Sequence, residues 1–377
     1  MPNTAESPQL NILHVLTLNG RNGEYGGPVR VARELCTELN SRGHATHIFS
    51  GARKGSEPTP KPGLAESFVL VKPISRRLAV SSLWSWKLIG PLNKLIKSAD
   101  TVHIHFARDL ISFLSALLSI LDRKPFVAQT HGMVIPDERR FTKLVDFFLA
   151  KPILNRAQAN LVLNKFEQKN ILALGVKSEI VILPNGISIS NLVQKRKSAS
   201  KTVIFCSRLD KRKGIEKFIR LAEISRTTGF KFEIYGPDGG ELNLVFNQIE
   251  EKNLEKVVQY MGSLPFDQVK HVLLKSDLLI LPSKDEPFPM IVLESLAIGT
   301  PVLIDQTCGI RIPISFIDKK FVVNSNNIVE MQAKMLEILS KYGDWEAQKK
   351  LIQNTDKFFS IRKVCDEYLR IIGTYLK

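Results

Sequence analysis

Glu286 and Glu294, with seven residues between them, carry the strongest chemical signal in this chain, in Pro282-Ser-Lys-Asp-Glu286-Pro-Phe-Pro289-Met-Ile-Val-Leu-Glu294. The stretch follows an apolar strand ending at Leu281 and opens a helix, with Pro289 suited to a first helical turn. A helix N-terminus presents free backbone N–H groups and partial positive charge to an anion. Glu294, about one turn into the helix, suits vicinal hydroxyls such as those of a ribose, and Glu286 on the loop suits a second polar group. A glycosidase pair is disfavoured, because eight residues of continuous helix span roughly 12 Å, whereas a retaining pair needs ~5–5.5 Å.

A second constellation follows the first strand of the C-terminal half, in Cys206-Ser-Arg208-Leu-Asp-Lys-Arg-Lys213-Gly214. Arg208 and Lys213 suit a pyrophosphate, the guanidinium through planar bidentate hydrogen bonds and the ammonium as a movable point charge. Lys211 and Arg212 read as a solvated basic turn. Among the histidines, His131 sits between Thr130 and Gly132 at a strand end, a place for chemistry. His105 is a second candidate. His103, assigned to the other strand face, and His14 read as packing residues. No Asp-x-Asp pair ends a predicted strand.

The elements that must position these residues alternate. Asn11–Leu18 reads as a strand, Gly20–Pro28 as a Gly-rich turn, and Val31, Leu35 and Leu39 as one helical face ending before Gly43. A strand over 45–50 completes a βαβ unit, which implies a parallel sheet with ligands at the carboxyl ends of its strands. Further strands are predicted at 101–106, 126–130, 160–163 and 180–183. A polar, basic stretch over 191–201 reads as a linker. Beyond it a second series begins, with strands at 202–208, 231–236, 257–261, 278–282 and 301–305. The expected architecture is α/β: two doubly wound, parallel-sheet domains, 1–190 and 191–359, facing across a cleft, with an amphipathic helix over 360–377 returning to the first.

The chain has 377 residues, enough for two such domains. It carries Lys+Arg 53 against Asp+Glu 37, a net charge of +16, which favours polyanionic partners. Four scattered cysteines exclude a zinc ribbon and point to a reducing compartment. The first residues lack the pattern of a signal peptide. The longest apolar stretch, Leu110–Leu121, falls short of the ~20 residues that span a bilayer. No Gly-x-Gly-x-x-Gly follows a predicted strand, which argues against a dehydrogenase, and no phosphate loop of the P-loop kind occurs.

Together, Gly26-Gly27-Pro28, His103-Ile-His105, Gln129-Thr-His131-Gly132-Met133, Pro184-Asn185-Gly186, Arg208 with Lys213, and Glu286 with Glu294 resemble the GT-B glycosyltransferases, specifically the retaining family four (glycosyl transferases group 1). The resemblance covers nearly the whole chain. It implies two Rossmann-like domains, the N-terminal one binding acceptor and the C-terminal one a nucleotide-sugar donor. It further implies that Arg208 and Lys213 bind the donor diphosphate, that Glu294 holds the ribose and that Glu286 contacts the sugar ring. His131 would lie near the reacting bond, Gly27 would bring its N–H to the donor phosphate and acceptor, and His105 would lie on the acceptor side. Retention would proceed by front-face attack, with no protein nucleophile, cofactor or essential metal. Many relatives have Glu-Gly-Phe-Gly where this chain has Glu286-Pro-Phe-Pro289. Donor N–H contacts are thereby lost at 287 and 289 and remain available from Phe288, Met290 and Ile291.

The reaction so implied moves a hexosyl group from a UDP- or GDP-sugar to a glycan or lipid-linked acceptor in envelope polysaccharide assembly. Rival readings are a nucleotide-sugar epimerase, a sucrose-type synthase, and a non-catalytic nucleotide-sugar-binding subunit. Residues 72–97 hold Lys72, Arg76, Arg77, Lys87, Lys94 and Lys97, no acid, and Trp84 and Trp86 among leucines. That composition suits docking on an anionic membrane surface, consistent with a cytoplasmic, peripheral protein. No nucleic-acid module is present, and nucleic acid is not expected as a partner.

Overall fold

The computed structural model describes residues 9–21, 26–75, 79–189 and 201–376. The predicted linker, apart from Lys201, lies outside these residues, as do Arg76 and Arg77. The described chain forms two units, one of 9–21, 26–75, 79–186 and 361–376, the other of 187–189 and 201–360.

The first unit is built on seven strands: β1 (Asn11–Leu18), β2 (Ala45–Ala52), β3 (Ala65–Leu70), β6 (Thr101–His105), β7 (Phe126–Gln129), β8 (Ala159–Val162) and β9 (Ile180–Ile182). Two short strands, β4 (Lys72–Pro73) and β5 (Leu83–Trp84), pair as a separate antiparallel ribbon. The sheet order is β3-β2-β1-β6-β7-β8-β9, parallel throughout. β1 and β6 are buried along nearly their whole length, as central strands covered on both faces must be. β3, absent from the sequence reading, is a half-exposed edge strand whose polar residues blunt the apolar signal.

The helix Ile361–Gly373 belongs to this unit. Ile361, Cys365, Tyr368 and Ile372 recur at helical spacing and are buried with Ile12, Leu35 and Leu39. Arg42 ties it on the outside, donating to Asp366 and to the Arg362 carbonyl. Gly186 lies under its first residue: a Cβ there would stand 2.7 Å from the Ile361 Cα, so only glycine lets the two segments cross.

The second unit holds β10 (Thr202–Cys206), β11 (Lys231–Tyr235), β12 (Val258–Gly262), β13 (Leu278–Leu281), β14 (Val302–Asp305) and β15 (Val322–Val323), in the order β12-β11-β10-β13-β14-β15 and again parallel. In each sheet the strand order reverses once, at β1/β6 and at β10/β13. Open α/β sheets bind ligands at the carboxyl ends of strands at such a reversal. Among the described residues no helix is long and apolar enough to cross a membrane.

Candidate functional site

In the second unit, the loops after β10 and β13 leave adjacent strands and meet at their carboxyl ends. They join the two constellations that lie over seventy residues apart in sequence: the Lys213 Nζ donates to Glu286 Oε2 at 2.5 Å, both side chains mostly shielded from solvent. Arg208 is about half exposed and donates to Asp210 at 3.1 Å. Asp210 also caps the short turn Lys211–Lys213, accepting from the Arg212 N–H.

Glu286 is held through its own carbonyl, which accepts from the Gly309 N–H at 2.8 Å. The preceding Asp285 has a left-handed backbone (φ 51°), and its N–H donates to Thr307 Oγ1. The helix Met290–Ala297 then begins, with Pro289 as the capping residue rather than inside the first turn. Seven of its eight residues are buried, Met290 and Ile291 included, and Glu294 is the exception. Phe288 packs edge-on against Phe359. The side chains of Phe288, Met290 and Ile291 therefore serve packing, and what Met290 and Ile291 can offer a ligand is the N–H groups of a helix's first turn.

Sequence reading missed the support beneath these loops. Asp305, at the end of β14, accepts from Thr307 and from the N–H and hydroxyl of Ser325, and Lys217 donates to Ser325 at 2.6 Å. These bonds hold the Asp305 carboxyl below its ordinary range against the opposing effect of burial, while burial lowers the Lys217 ammonium. An Asp at a strand end is the signal that could have found it.

In the first unit, three histidine rings form a file. His131 Nε2 lies 2.7 Å from His105 Nδ1, and His105 Nε2 lies 3.2 Å from His14 Nδ1. His103 was expected on the opposite strand face, but residues i and i+2 of a strand share a face. Its ring stacks on His105 at 4.4 Å and against Tyr368 at 5.3 Å. Burial pushes all four imidazoles toward the neutral form, His103 and His131 down to about 3, with the neighbouring histidines adding to the shift for His14, His105 and His131. Among the described residues, His14 Nε2, both His103 ring nitrogens and the Tyr368 hydroxyl are buried with no partner in normal hydrogen-bond geometry.

Nitrogens of His14, His103 and His105 come within 4.8 Å of one another, which invites comparison with a metal site. The rings of His103 and His105 are parallel to within 4° and stacked. A metal accepts the in-plane lone pair of each imidazole, and no point lies in the planes of two stacked rings, so this arrangement suits hydrogen bonding instead. A buried bare acceptor costs less than a buried bare N–H. That favours protons directed from His14 to His105 to His131, leaving the His131 Nδ1 as a donor.

His131 itself has a left-handed backbone (φ 49°), rare for a residue with a side chain. Glu167 holds it there, accepting from the Thr130 hydroxyl, the Gly132 N–H and, at 2.6 Å, the Leu163 N–H. Glu167 was not singled out from sequence. The signal was Asn164-x-x-Glu167, a helix-start pattern whose Asn164 does cap the helix Lys165–Ala173. Asp109 plays a similar part at the β1/β6 reversal, accepting from Thr17, Ser112 and the Ile111 N–H. Gly27 sits in the first turn of the helix Gly26–Ser41, with open space where a Cβ would be.

Residues 190–358 match the family of glycosyl transferases group 1, and residues 25–191 match Glycosyltransferase Family 4. A protein of the Klebsiella pneumoniae cps region is 24% identical, over 67% of this chain and 74% of its own length. The amylovoran biosynthesis glycosyltransferase AmsK of Erwinia amylovora is 29% identical over 66% of this chain and 63% of its own. The crystal structure of Anabaena HepE in complex with UDP-glucose superimposes with a TM-score of 0.74 at 16% identity, covering 97% of this chain and 100% of that one.

Proposed function

Because the chain belongs to the group 1 glycosyltransferases of the GT-B fold, we propose that it transfers a hexosyl group from a UDP- or GDP-sugar, with retention, to a glycan or lipid-linked acceptor in the assembly of a cell-envelope polysaccharide. The observation that carries this reading is the Lys213–Glu286 pair beside Arg208 at the β10/β13 reversal. Fixed cations there stabilise a departing nucleoside diphosphate. Glu286, already paired with an ammonium, is disposed to accept hydroxyls of the sugar rather than to act as a nucleophile. Glu294, the unburied residue of a buried helix, is suited to the ribose.

In the proposed step the bond from the anomeric carbon to the diphosphate oxygen breaks and the acceptor oxygen bonds to the same face of that carbon. The acceptor's proton passes to the leaving diphosphate. No metal is required in this scheme. His131 acts as a neutral hydrogen-bond donor near the reacting centre, and the first turn at Gly27 offers its N–H to the donor phosphate. The named roles of HepE's ligand and of AmsK support a nucleotide-sugar donor and a polysaccharide product. The basic segment 72–97 supports a station on the inner face of a membrane.

Calorimetric titration with UDP, GDP and ADP tests the donor site. One nucleotide is expected to bind, and Arg208→Ala with Lys213→Ala is expected to weaken it by at least about tenfold, the loss of one or two charge-assisted contacts. Unchanged affinity in the double variant, or no binding by the folded wild type, would overturn the assignment. A product whose anomeric configuration is inverted relative to the donor would overturn retention.

A further inference from the structure

His14 is on β1, His105 on β6 and His131 just beyond β7, three strands that are neighbours in the sheet. Adjacent strands stand about 4.8 Å apart, and the ring centroids step by 5.5 Å and 4.9 Å. The file therefore crosses the sheet one ring per strand, from His14, fully buried, to His131, partly exposed. At each joint the centroid distance is about the nitrogen–nitrogen separation, 3.2 Å or 2.7 Å, lengthened by the radius of each ring. Both pairs of nitrogens thus lie along the line of centroids, where an N–H meets the lone pair of the next ring head-on. His105 and His131, parallel to within 3°, share one plane.

His105 has no nitrogen left over, since His14 takes its Nε2 and His131 its Nδ1. Its ring plane is fixed as well: His103 covers it at 4.4 Å, and Tyr368 backs His103 at 5.3 Å. Glu167, bonded to Thr130 and Gly132 on either side of His131, fixes the backbone that carries the last ring.

Burial favours the neutral form of all three rings, with one proton for two nitrogens in each. The inner end of the file is blind: among the described residues His14 Nε2 has no partner in normal hydrogen-bond geometry. A proton there would make a buried, unpaired donor, a costlier arrangement than a bare acceptor. So the proton of His14 goes to His105 Nε2, the proton of His105 to His131 Nε2, and the proton of His131 is on Nδ1.

We propose that His105 is a positioning residue that touches no ligand: backed by His14, it locks His131 in the Nδ1–H tautomer, so that His131 gives a hydrogen bond and takes none. The group opposite His131 is then an oxygen with a free lone pair. The lone pair of His131 is spent on His105, so His131 is not the base that takes the acceptor's proton. The proposal deepens the transferase reading and rests on it for the ligand that His131 faces.

Nitrogen-15 NMR of the histidine side chains in the labelled full chain tests it, with His131→Ala identifying the His131 signals. At neutral pH the wild type is expected to show His131 protonated on Nδ1 and bare on Nε2. His105→Phe removes the donor, and both tautomers of His131 are then expected. Release of UDP from UDP-glucose is expected to fall about tenfold in that variant, with UDP affinity within about twofold. His105→Asn keeps an N–H near the place of Nδ1 and is expected to restore the single tautomer and most of the release. An otherwise unchanged amide spectrum shows that the variants fold. A wild type with the His131 proton on Nε2, or a single tautomer that survives His105→Phe, would overturn the proposal. Losses of UDP affinity as large as those of release would overturn it too, since they would make His105 a structural residue. A wild type that shows the expected tautomer, lost in His105→Phe, but releases no UDP upholds the lock and strikes at the transferase reading instead.

Discussion

The carboxyl ends of the two parallel sheets hold polar groups in opposite ways. In the first unit that end carries a file of imidazoles, His14 and His105 buried and His131 partly exposed, all pushed toward the neutral form by desolvation. In the second it is a set of formal charges, the Lys213–Glu286 pair mostly shielded from solvent and Arg208 about half exposed. Both ends spend backbone strain at the same kind of place, a left-handed residue at His131 and another at Asp285, and both fix it with a polar side chain from elsewhere in the unit, Glu167 or Thr307. The lesson is that one topology gives a place for a ligand, while burial decides whether charge or neutral hydrogen bonding waits there.

The sharpest way to break this comparison is to remove a member of the neutral file. His131→Ala should lower turnover about 10²–10³-fold, the usual effect of deleting one donor near a reacting centre, while UDP affinity measured by calorimetry stays within about twofold. Equal losses in turnover and nucleotide affinity would place His131 in general folding rather than at the reacting centre.

Two glycines sharpen the contrast in backbone demands. Gly236, after β11, has φ 147°, and a Cβ there would fall 1.8 Å from the Ser207 carbonyl oxygen, within the loop that leads to Arg208. Gly236→Ala should cost about 3 kcal/mol in denaturant unfolding, since backbone must move. Gly27→Ala, in open space, should cost less than about 0.5 kcal/mol. A tolerated Gly236→Ala would mean that the loop carrying Arg208 is not held by this contact.

A further contrast is in pH. His14, His103 and His105 have folded values lowered from 6.5, so below about that pH the unfolded chain binds protons that the folded one refuses. Their contribution to stability is complete above 6.5 and falls as pH drops toward the folded values. Each group can contribute up to about 1.4 kcal/mol per pH unit in that window. Thermal unfolding followed between neutral and mildly acidic pH should show this slope, and His103→Phe should flatten it. A slope indifferent to His103 would show that the His103 ring is hydrated in the folded protein.

The alternation of strand and helix is legible along the chain because a strand buried on both faces, such as β1 or β13, must read as an apolar run whatever surrounds it. Two of the four edge strands escaped: β3 is half exposed and β15 has two residues. The placing of Arg208, Lys213, Glu286, Glu294 and His131 as candidates was legible from residue type at a strand end or helix start. Glu167 and Asp305 were not, since nothing local in sequence says which distant loop a carboxylate will support. The exposed run at 141–149 escaped for a related reason, because apolar residues at helical spacing read as core until the fold leaves them outside.

Residue type and local spacing determined most of the elements, their succession along the chain and the candidate groups at their ends. Tertiary structure alone decided that Lys213 meets Glu286, that His105 links His131 to His14, and that Phe147 and Phe148 stay in water. The physical reason is range. Propensity, capping and periodicity act over a few residues, whereas ion pairing, desolvation and the shape of a cavity depend on which strands become neighbours.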